Sequence, residues 1–387
     1  MLVPWVWVWP GLAPDPVFFH AHELIFGMAA AALGGYLLTA LPSWTAPRTT
    51  SRTGHRTGLS ALALLVLAWG LGRGAMIVGA QGPIVLFGAS LFPLGIAEAV
   101  SANPGRFLGL AALVLPPVLR AGAWQKLPLA IAPLVLAIAD LAWLAGRGTG
   151  ASDQTSGLAL VLGFALMISM VGGRALPAFV NSRLAASGVR VLPHHGPGLL
   201  ACGLILLALV LVVAGGPPAM SGGALLAAGA LQSGRFVAWR ARGLTAHKDL
   251  LLLYIAWAWL ALGLQLTGFA MLTPQVLSVA TALHALSIGA MGSMILAISA
   301  RAFMARAPGM LRASAFHLTA LALIGLAAVL RLVFPYVDVA GYAGLQWSAA
   351  SWSLGWALYL VPLLRNLARP SPYPVLSADR SPDLTRP

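Results

Sequence analysis

Ionisable side chains within the long apolar runs of this sequence are few: His20, His22, Glu23, Arg73, Glu98, Asp140, Arg174, His284, His317 and Arg331. Such groups are costly in an apolar surrounding, which makes each a functional-site candidate by default. The most suggestive are His20-Ala21-His22-Glu23, which opens the first run, and His284 in Leu283-His284-Ala285-Leu286-Ser287-Ile288-Gly289-Ala290. Two neutral imidazoles at matched depth on parallel helices can bind one metal from opposite sides, the arrangement a haem iron takes on its two axial positions. His20 and His22 are two residues apart, about 200° around a helix, so they point to opposite faces. A regular helix brings only one of them to a given metal. Glu23 either orients a ligating histidine through a hydrogen bond or caps the first turn, where negative charge is favoured.

Arg73, in Leu71-Gly72-Arg73, and Arg331 lie near the outer ends of their runs, at a depth that suits pairing with haem propionates. The alternative for each is snorkelling to the interface. Small residues follow both histidine stretches: Gly27, Ala29 to Ala32, Gly34 and Gly35 after the first, Gly289, Ala290, Gly292 and Ser293 after the second. They admit a flat macrocycle, or a close helix neighbour of the kind membrane bundles use everywhere. Glu98 and Arg174 read as structural ion-pairing or topology residues, and His317 as a hydrogen-bonded structural residue. His55, His194, His195 and His247 fall in basic loops, where His194-His195 reads as solvated.

The elements that must position these residues follow from composition. Of 387 residues, 59% are hydrophobic and 8% charged, against about 25% charge in soluble domains. A span uses about 20 apolar residues, so the chain has room for about eleven and for no sizeable soluble domain. The expectation is an all-α, polytopic transmembrane helical bundle. Apolar runs place helices near 18–42, 59–79, 84–103, 127–146, 157–180, 198–214, 220–240, 249–271, 275–304, 311–333 and 342–366. A shorter run, 105–120, carries Pro116-Pro117, which removes helical hydrogen bonds. The parts are an aromatic segment 1–17, a helical bundle 18–368 and a disordered cytoplasmic tail 369–387, rich in Pro, Ser and charge.

Lys and Arg number 23 against 9 Asp and Glu, a formal charge of +14. In an apolar chain this excess reads as a topology signal, with basic loops on the cytoplasmic side, and nucleic acid is not an expected partner. Arg48, Arg52 and Arg56, then Arg183 and Arg190, then Arg240, Arg242 and Lys248, then Arg301, Arg306 and Arg312 mark inner loops. Gly215-Gly216-Pro217-Pro218 and Leu272-Thr273-Pro274 carry no base and read as outer turns. An even number of spans must lie between the first two basic loops, so one of the five candidates there does not cross. Basic flanks select 105–120 as a re-entrant or surface segment. This gives eleven crossings with the amino terminus outside and the carboxyl terminus inside. The single cysteine, Cys202, reads as a packing residue and excludes an internal disulfide.

The stretches HAHELIFGMAAAALGGYLLTALPSWT (20–45), LGR (71–73), GGRALPAF (172–179) and LHALSIGAMGSMILAISARA (283–302) resemble the NnrS family of bacterial inner-membrane proteins. The resemblance implies about twelve transmembrane helices, bound haem and copper, and a role in the response to nitric oxide and nitrosative stress. It makes His20, His22 and His284 the implied ligands, and MLVPWVWVWP (1–10) the implied tail of one further helix. Two positions depart from the family pattern: Tyr254 stands ahead of Trp257-Ala258-Trp259 where members often have His, and Ala305-Arg306 replaces a GHTGR-like end. Both departures weaken the implied copper site more than the haem. A fainter resemblance, to the catalytic subunit of haem–copper oxidases, would make His22 and His284 the axial pair of a low-spin haem. That superfamily's His-rich copper site has no counterpart in the middle helices.

Walker loops, Rossmann fingerprints, HExxH, nucleophile elbows and internal repeats are absent from the sequence. The histidine pair, together with what the resemblance implies, makes the expected function a haem-b-binding membrane protein handling electrons or nitric oxide. An enzyme on this plan would be a haem-dependent oxidoreductase acting on nitrogen oxides. The rival class is a transporter or metal-delivery protein whose His and Met residues (Met28, Met291, Met294) pass copper or haem.

Overall fold

The computed structural model describes residues 16–46, 54–79, 85–86, 89–90, 104–145, 153–184, 191–192, 194–239, 246–307 and 310–367. The aromatic start, most of the expected 84–103 span with Glu98, and the carboxyl-terminal tail lie outside them. Eleven helices are described: α1 (Pro16–Thr45), α2 (Leu59–Gly79), α3 (Pro104–Arg120), α4 (Leu127–Ala145, offset at Ile131), α5 (Asp153–Leu184), α6 (His195–Val213), α7 (Pro218–Ala238), α8 (Lys248–Leu272), α9 (Val279–Ala300), α10 (Ala315–Val333) and α11 (Gly344–Leu367). Seven apolar stretches within them are long enough to cross a membrane, in α1, α4, α5, α6, α8, α9 and α10. The expected all-α membrane bundle is therefore the observed class. Where a span over 84–103 was expected, the described residues are a short antiparallel pairing of Val85–Leu86 with Ala89–Ser90.

The chain divides into two compact units, 2–153 and 154–387. In the first, α3 is the central piece, packed against α1, α2 and α4. Its buried stripe is Phe107, Leu110, Ala111, Val114 and Val118, the spacing of one helix face. Pro116 and Pro117 withdraw two backbone donors, yet the helix continues to Arg120, held by that stripe on either side. The segment 105–120 is thus a core helix of its unit, and Arg106, expected as a basic flank, is 4% exposed.

In the second unit α8 is central, and Tyr254, Trp257, Leu260 and Leu264 are buried on it. Helix α7 approaches α8 closely at glycines: a Cβ on Gly222 would meet the Gly268 carbonyl oxygen at 2.8 Å. Helix α6 ends in a Schellman turn, with Gly215 at φ 68° and Gly216 N–H donating to Leu211 O at 2.8 Å, before Pro217-Pro218 forces the stop. The turn after α10 is a hairpin of Asp338–Val339 with Tyr342–Ala343. Its two central residues, Ala340 and Gly341, both have positive φ, as a type I′ turn demands.

Two helices are not regular. α1 changes to π-helix over Glu23–Ala29, and α9 does so over Ala285–Gly292. Each wide stretch begins on the residue after a candidate histidine, His22 or His284. In both, a glycine stands five residues beyond the histidine, Gly27 and Gly289. π-Turns inside α-helices occur frequently at functional sites, since the extra residue interrupts the ladder and re-aims side chains.

Candidate functional site

His22 is completely buried and lies between two carboxylates. Its Nε2 is 2.8 Å from Asp140 Oδ1 on α4, and its Nδ1 is 3.2 Å from Glu23 Oε1. Each acid is then paired with a guanidinium: Arg106 Nη2 on α3 donates to Asp140 Oδ2 at 3.1 Å, and Arg73 Nη1 on α2 donates to Glu23 Oε1. The result is a chain Arg73–Glu23–His22–Asp140–Arg106 that draws on all four described helices of the first unit. All five residues are buried. Buried charges persist only when paired, and here two guanidiniums cancel two carboxylates. The donors are not exhausted: Arg73 Nε and Nη2 and Arg106 Nε and Nη1 have no hydrogen-bond partner among the described residues.

The packing around the chain explains the small residues of α1. A Cβ on Gly27 would meet Arg73 Nη1 at 3.0 Å, and one on Gly34 would meet Leu110 Cδ2 at 3.2 Å, whereas Gly35 faces open space. Phe18 stacks on the His22 ring at 5.9 Å, Phe26 lies tilted against it at 5.0 Å, and Trp143 packs on both phenylalanines. His22 is thereby enclosed by aromatic rings and carboxylates. His20, on the opposite face as its spacing requires, is half-buried.

In the second unit His284 ends the regular part of α9. Its Nδ1 lies 2.7 Å from the Ala280 carbonyl oxygen. A carbonyl only accepts, so Nδ1 carries the proton and the neutral ring keeps its lone pair on Nε2, the tautomer a metal ligand needs. The glycines beyond it are filled by indoles: a Cβ on Gly289 would meet Trp259 at 2.5 Å, and one on Gly292 would meet Trp352 at 2.9 Å. Here the small residues serve close helix packing.

The remaining sequence candidates separate clearly. Arg331 is half-buried in the last turn of α10. His317 forms a capping box with Ser314, whose N–H donates to Nδ1 at 3.1 Å, so it is a structural residue as expected. Arg174 is exposed, and His194 and His195 sit at the start of α6. Tyr254 donates its hydroxyl to the Trp239 carbonyl, and Arg306 lies in a hairpin strand opposite Leu311. Among the described residues no three His, Cys, Asp or Glu side chains form a metal-sized group.

Three features were not anticipated. The Asp140–Arg106 pair joins residues from an apolar run and from a supposed flank. Asp249 is buried between Arg183 and Arg301, at 3.7 and 3.6 Å. Arg235 is buried under Trp239, 4.4 Å from the ring centre, and donates to Gln232 Oε1 and Gly173 O. The last contact explains why GGRALPAF needs its glycines: a Cβ on Gly173 would fall 2.6 Å from Arg235 Nη2. The signal for all three was an acid or Arg within an apolar run, which must find a partner.

The two imidazoles fit a haem unequally. His284 has the tautomer and anchoring of an axial ligand. His22, with a carboxylate on each ring nitrogen, presents no lone pair to an iron in this arrangement, and Arg73 is committed to Glu23.

Fold and site together define an integral-membrane helical bundle with buried histidines and balanced intramembrane charge. The NnrS protein family model matches residues 1–371, nearly the whole chain, and the chain belongs to that family. No curated protein matches it significantly.

Proposed function

We propose that the chain is a haem-binding integral membrane protein of the nitric oxide and nitrosative-stress response, resident in a bacterial inner membrane. The observation that carries this reading is His284: family-motif position, Nδ1 anchored on Ala280, Nε2 in the acceptor tautomer, and a π-turn directly beyond it. Family membership supports the physiological setting. His284 would hold the haem through its Nε2. In the first unit His20 and His22 are the family-implied ligands, and His22 would hold such a group only after leaving Asp140. A b-type haem held there would supply an iron able to accept an electron or to bind nitric oxide. The chain's own contribution would be to orient the imidazole through Ala280, to exclude water with the indoles of Trp259 and Trp352, and to offer a guanidinium donor at Arg331 for an anionic substituent. Copper is a weaker part of the proposal, given Tyr254 and Arg306.

The test is the absorption spectrum of the purified full chain, oxidised and reduced, with and without nitric oxide. A Soret band that His284→Ala removes or shifts, and that nitric oxide perturbs, is the expected result. A band untouched by His284→Ala refutes the ligand assignment. Absence of any band after haem-sufficient expression, with labile copper instead, supports the metal-delivery class.

A further inference from the structure

The hairpin between α10 and α11 carries an apolar face that the described residues do not cover. Val339 pairs with Tyr342, so their side chains share one side of the hairpin, and Asp338 pairs with Ala343 on the other. Val337 stands two residues before Val339 and falls on the first side by strand alternation. Its carbonyl oxygen accepts from Gly344 N–H at 2.9 Å, which carries the ladder one step further. The Trp347 ring meets Tyr342 edge to face at 6.0 Å, and its Nε1–H donates to Val339 O at 3.1 Å. Val337, Val339, Tyr342 and Trp347 are between 41 and 55% exposed. The hairpin is braced in this form: Gly341 N–H donates to Asp338 Oδ1 at 2.9 Å, and Ala343 N–H to Gln346 Oε1 at 2.8 Å. With these backbone donors used internally, it tolerates a partly dehydrated surrounding.

Position and charge select what covers this face. On α10, Leu326, Val329 and Val333 form an exposed apolar edge with the spacing of one helix side. In a membrane-spanning helix that edge meets acyl chains, and the hairpin begins where it runs out. The end of a span is where the acyl region gives way to the headgroup layer. Trp and Tyr are enriched in that layer, because their rings are apolar and their tips polar. Four half-exposed side chains fall short of the roughly 800 Å² per partner that a stable protein interface takes, which argues against a docked protein. From Phe334 to Trp347 the only charged residue is Asp338, so attraction to anionic lipid does not contribute. We propose that the α10–α11 hairpin is an interfacial membrane anchor. It lies in the headgroup layer at this end of α10, with Val337, Val339 and Tyr342 turned toward the acyl chains and Asp338 toward water. Anchored so, it sets the depth of the last turn of α10 and the first turn of α11. The proposal concerns lipid alone and does not rest on a haem.

The experiment is site-directed spin labelling of the full chain in phosphatidylcholine nanodiscs. Cys202 is the single cysteine, so a Cys202→Ser background leaves one thiol in each of Val339→Cys, Tyr342→Cys and Asp338→Cys, with Val329→Cys as the acyl-chain reference. All four positions are exposed, so no packed core is disturbed. Asp338→Cys gives up the bond to Gly341 but keeps the ladder. Power saturation compares access of oxygen, which concentrates among acyl chains, with access of a water-soluble nickel chelate. Labels at 339 and 342 should show an oxygen-to-nickel ratio below that at 329 and severalfold above that at 338. The ratio should persist when half of the lipid is phosphatidylglycerol. Val337→Cys reads the same face from a third position and should behave like 339. Nickel access at 339 and 342 equal to that at 338 overturns the proposal, since the hairpin then projects into water. Labels at 339 and 342 shielded from both reagents overturn it in favour of cover by protein. A high ratio seen only with the anionic lipid overturns it in favour of an electrostatic contact.

Discussion

Replacing Asp140 tests whether the buried chain in the first unit is a single electrostatic unit. Asp140 is fully buried and bridges His22 Nε2 at 2.8 Å and Arg106 Nη2 at 3.1 Å. Asp140→Ala leaves the Arg106 charge uncompensated inside the unit, and breaking a buried pair in this way costs about 3–5 kcal/mol. With roughly 2–4 °C per kcal/mol for 150–250 residues, the melting temperature should fall by about 6–20 °C. Asp140→Asn keeps an acceptor for one neighbour only and should lose about 1.5–3 kcal/mol, the worth of a hydrogen bond to a charged group. The double variant Asp140→Leu/Arg106→Leu removes both charges together and should regain most of the loss, since apolar replacement of a whole buried pair is close to neutral. Thermal unfolding of the detergent-purified chain, arranged as a double-mutant cycle, measures the coupling directly. Additive losses, or an Asp140→Asn protein that melts like the unmodified chain, would refute the reasoning.

Other perturbations separate packing from chemistry. His317→Ala should leave any haem spectrum unchanged while costing about 1 kcal/mol through loss of its capping box, readable as a small fall in melting temperature. Gly222→Leu, which drives a side chain into the Gly268 carbonyl, should cost at least 1–3 kcal/mol, the usual range for overpacking. Gly203→Ala, at a position with nothing within 4 Å, should instead stabilise α6 by up to about 1 kcal/mol. Reporter fusions test the loop-charge topology: a fluorescent protein after Leu367 should fold inside, and alkaline phosphatase placed at Gly216 should be active outside. The reverse pattern would invert the orientation.

How far the sequence reaches is visible at particular residues. The helices were legible because long apolar runs with basic breaks are strong, local signals. Asp140 was legible as costly, but its partner was not, because Arg106 is 34 residues away and reads as a loop flank when only nearby charge is considered. The stripe Phe107, Leu110, Ala111, Val114, Val118 carries the information that 105–120 is a packed helix. The proline pair and the basic flanks obscured it. The role of Glu23 was half legible, since adjacency to His22 allows a contact but its ion pair to Arg73 depends on how α2 docks. Small residues after the two histidines looked alike in sequence, and three-dimensional packing distinguishes them. Trp259 and Trp352 fill the second set, whereas Gly35 of the first faces open space.

The π-turns also have a consequence for how these helices are divided. Each residue of a regular helix advances about 100° around the axis, so one surplus residue puts the segments before and after Glu23–Ala29 out of phase by roughly that angle. The direction in which His22 points and the face that Ala30–Thr45 presents to α3 are then set independently of each other. A helical wheel drawn unbroken through 16–45 assigns one half of the helix to the wrong side. Removing a single residue between Glu23 and Ala29 would bring the two segments into phase and swing His22 away from Asp140, leaving composition and hydropathy almost unchanged. In this chain, helix length within the π-turn is itself a coordinate of the site.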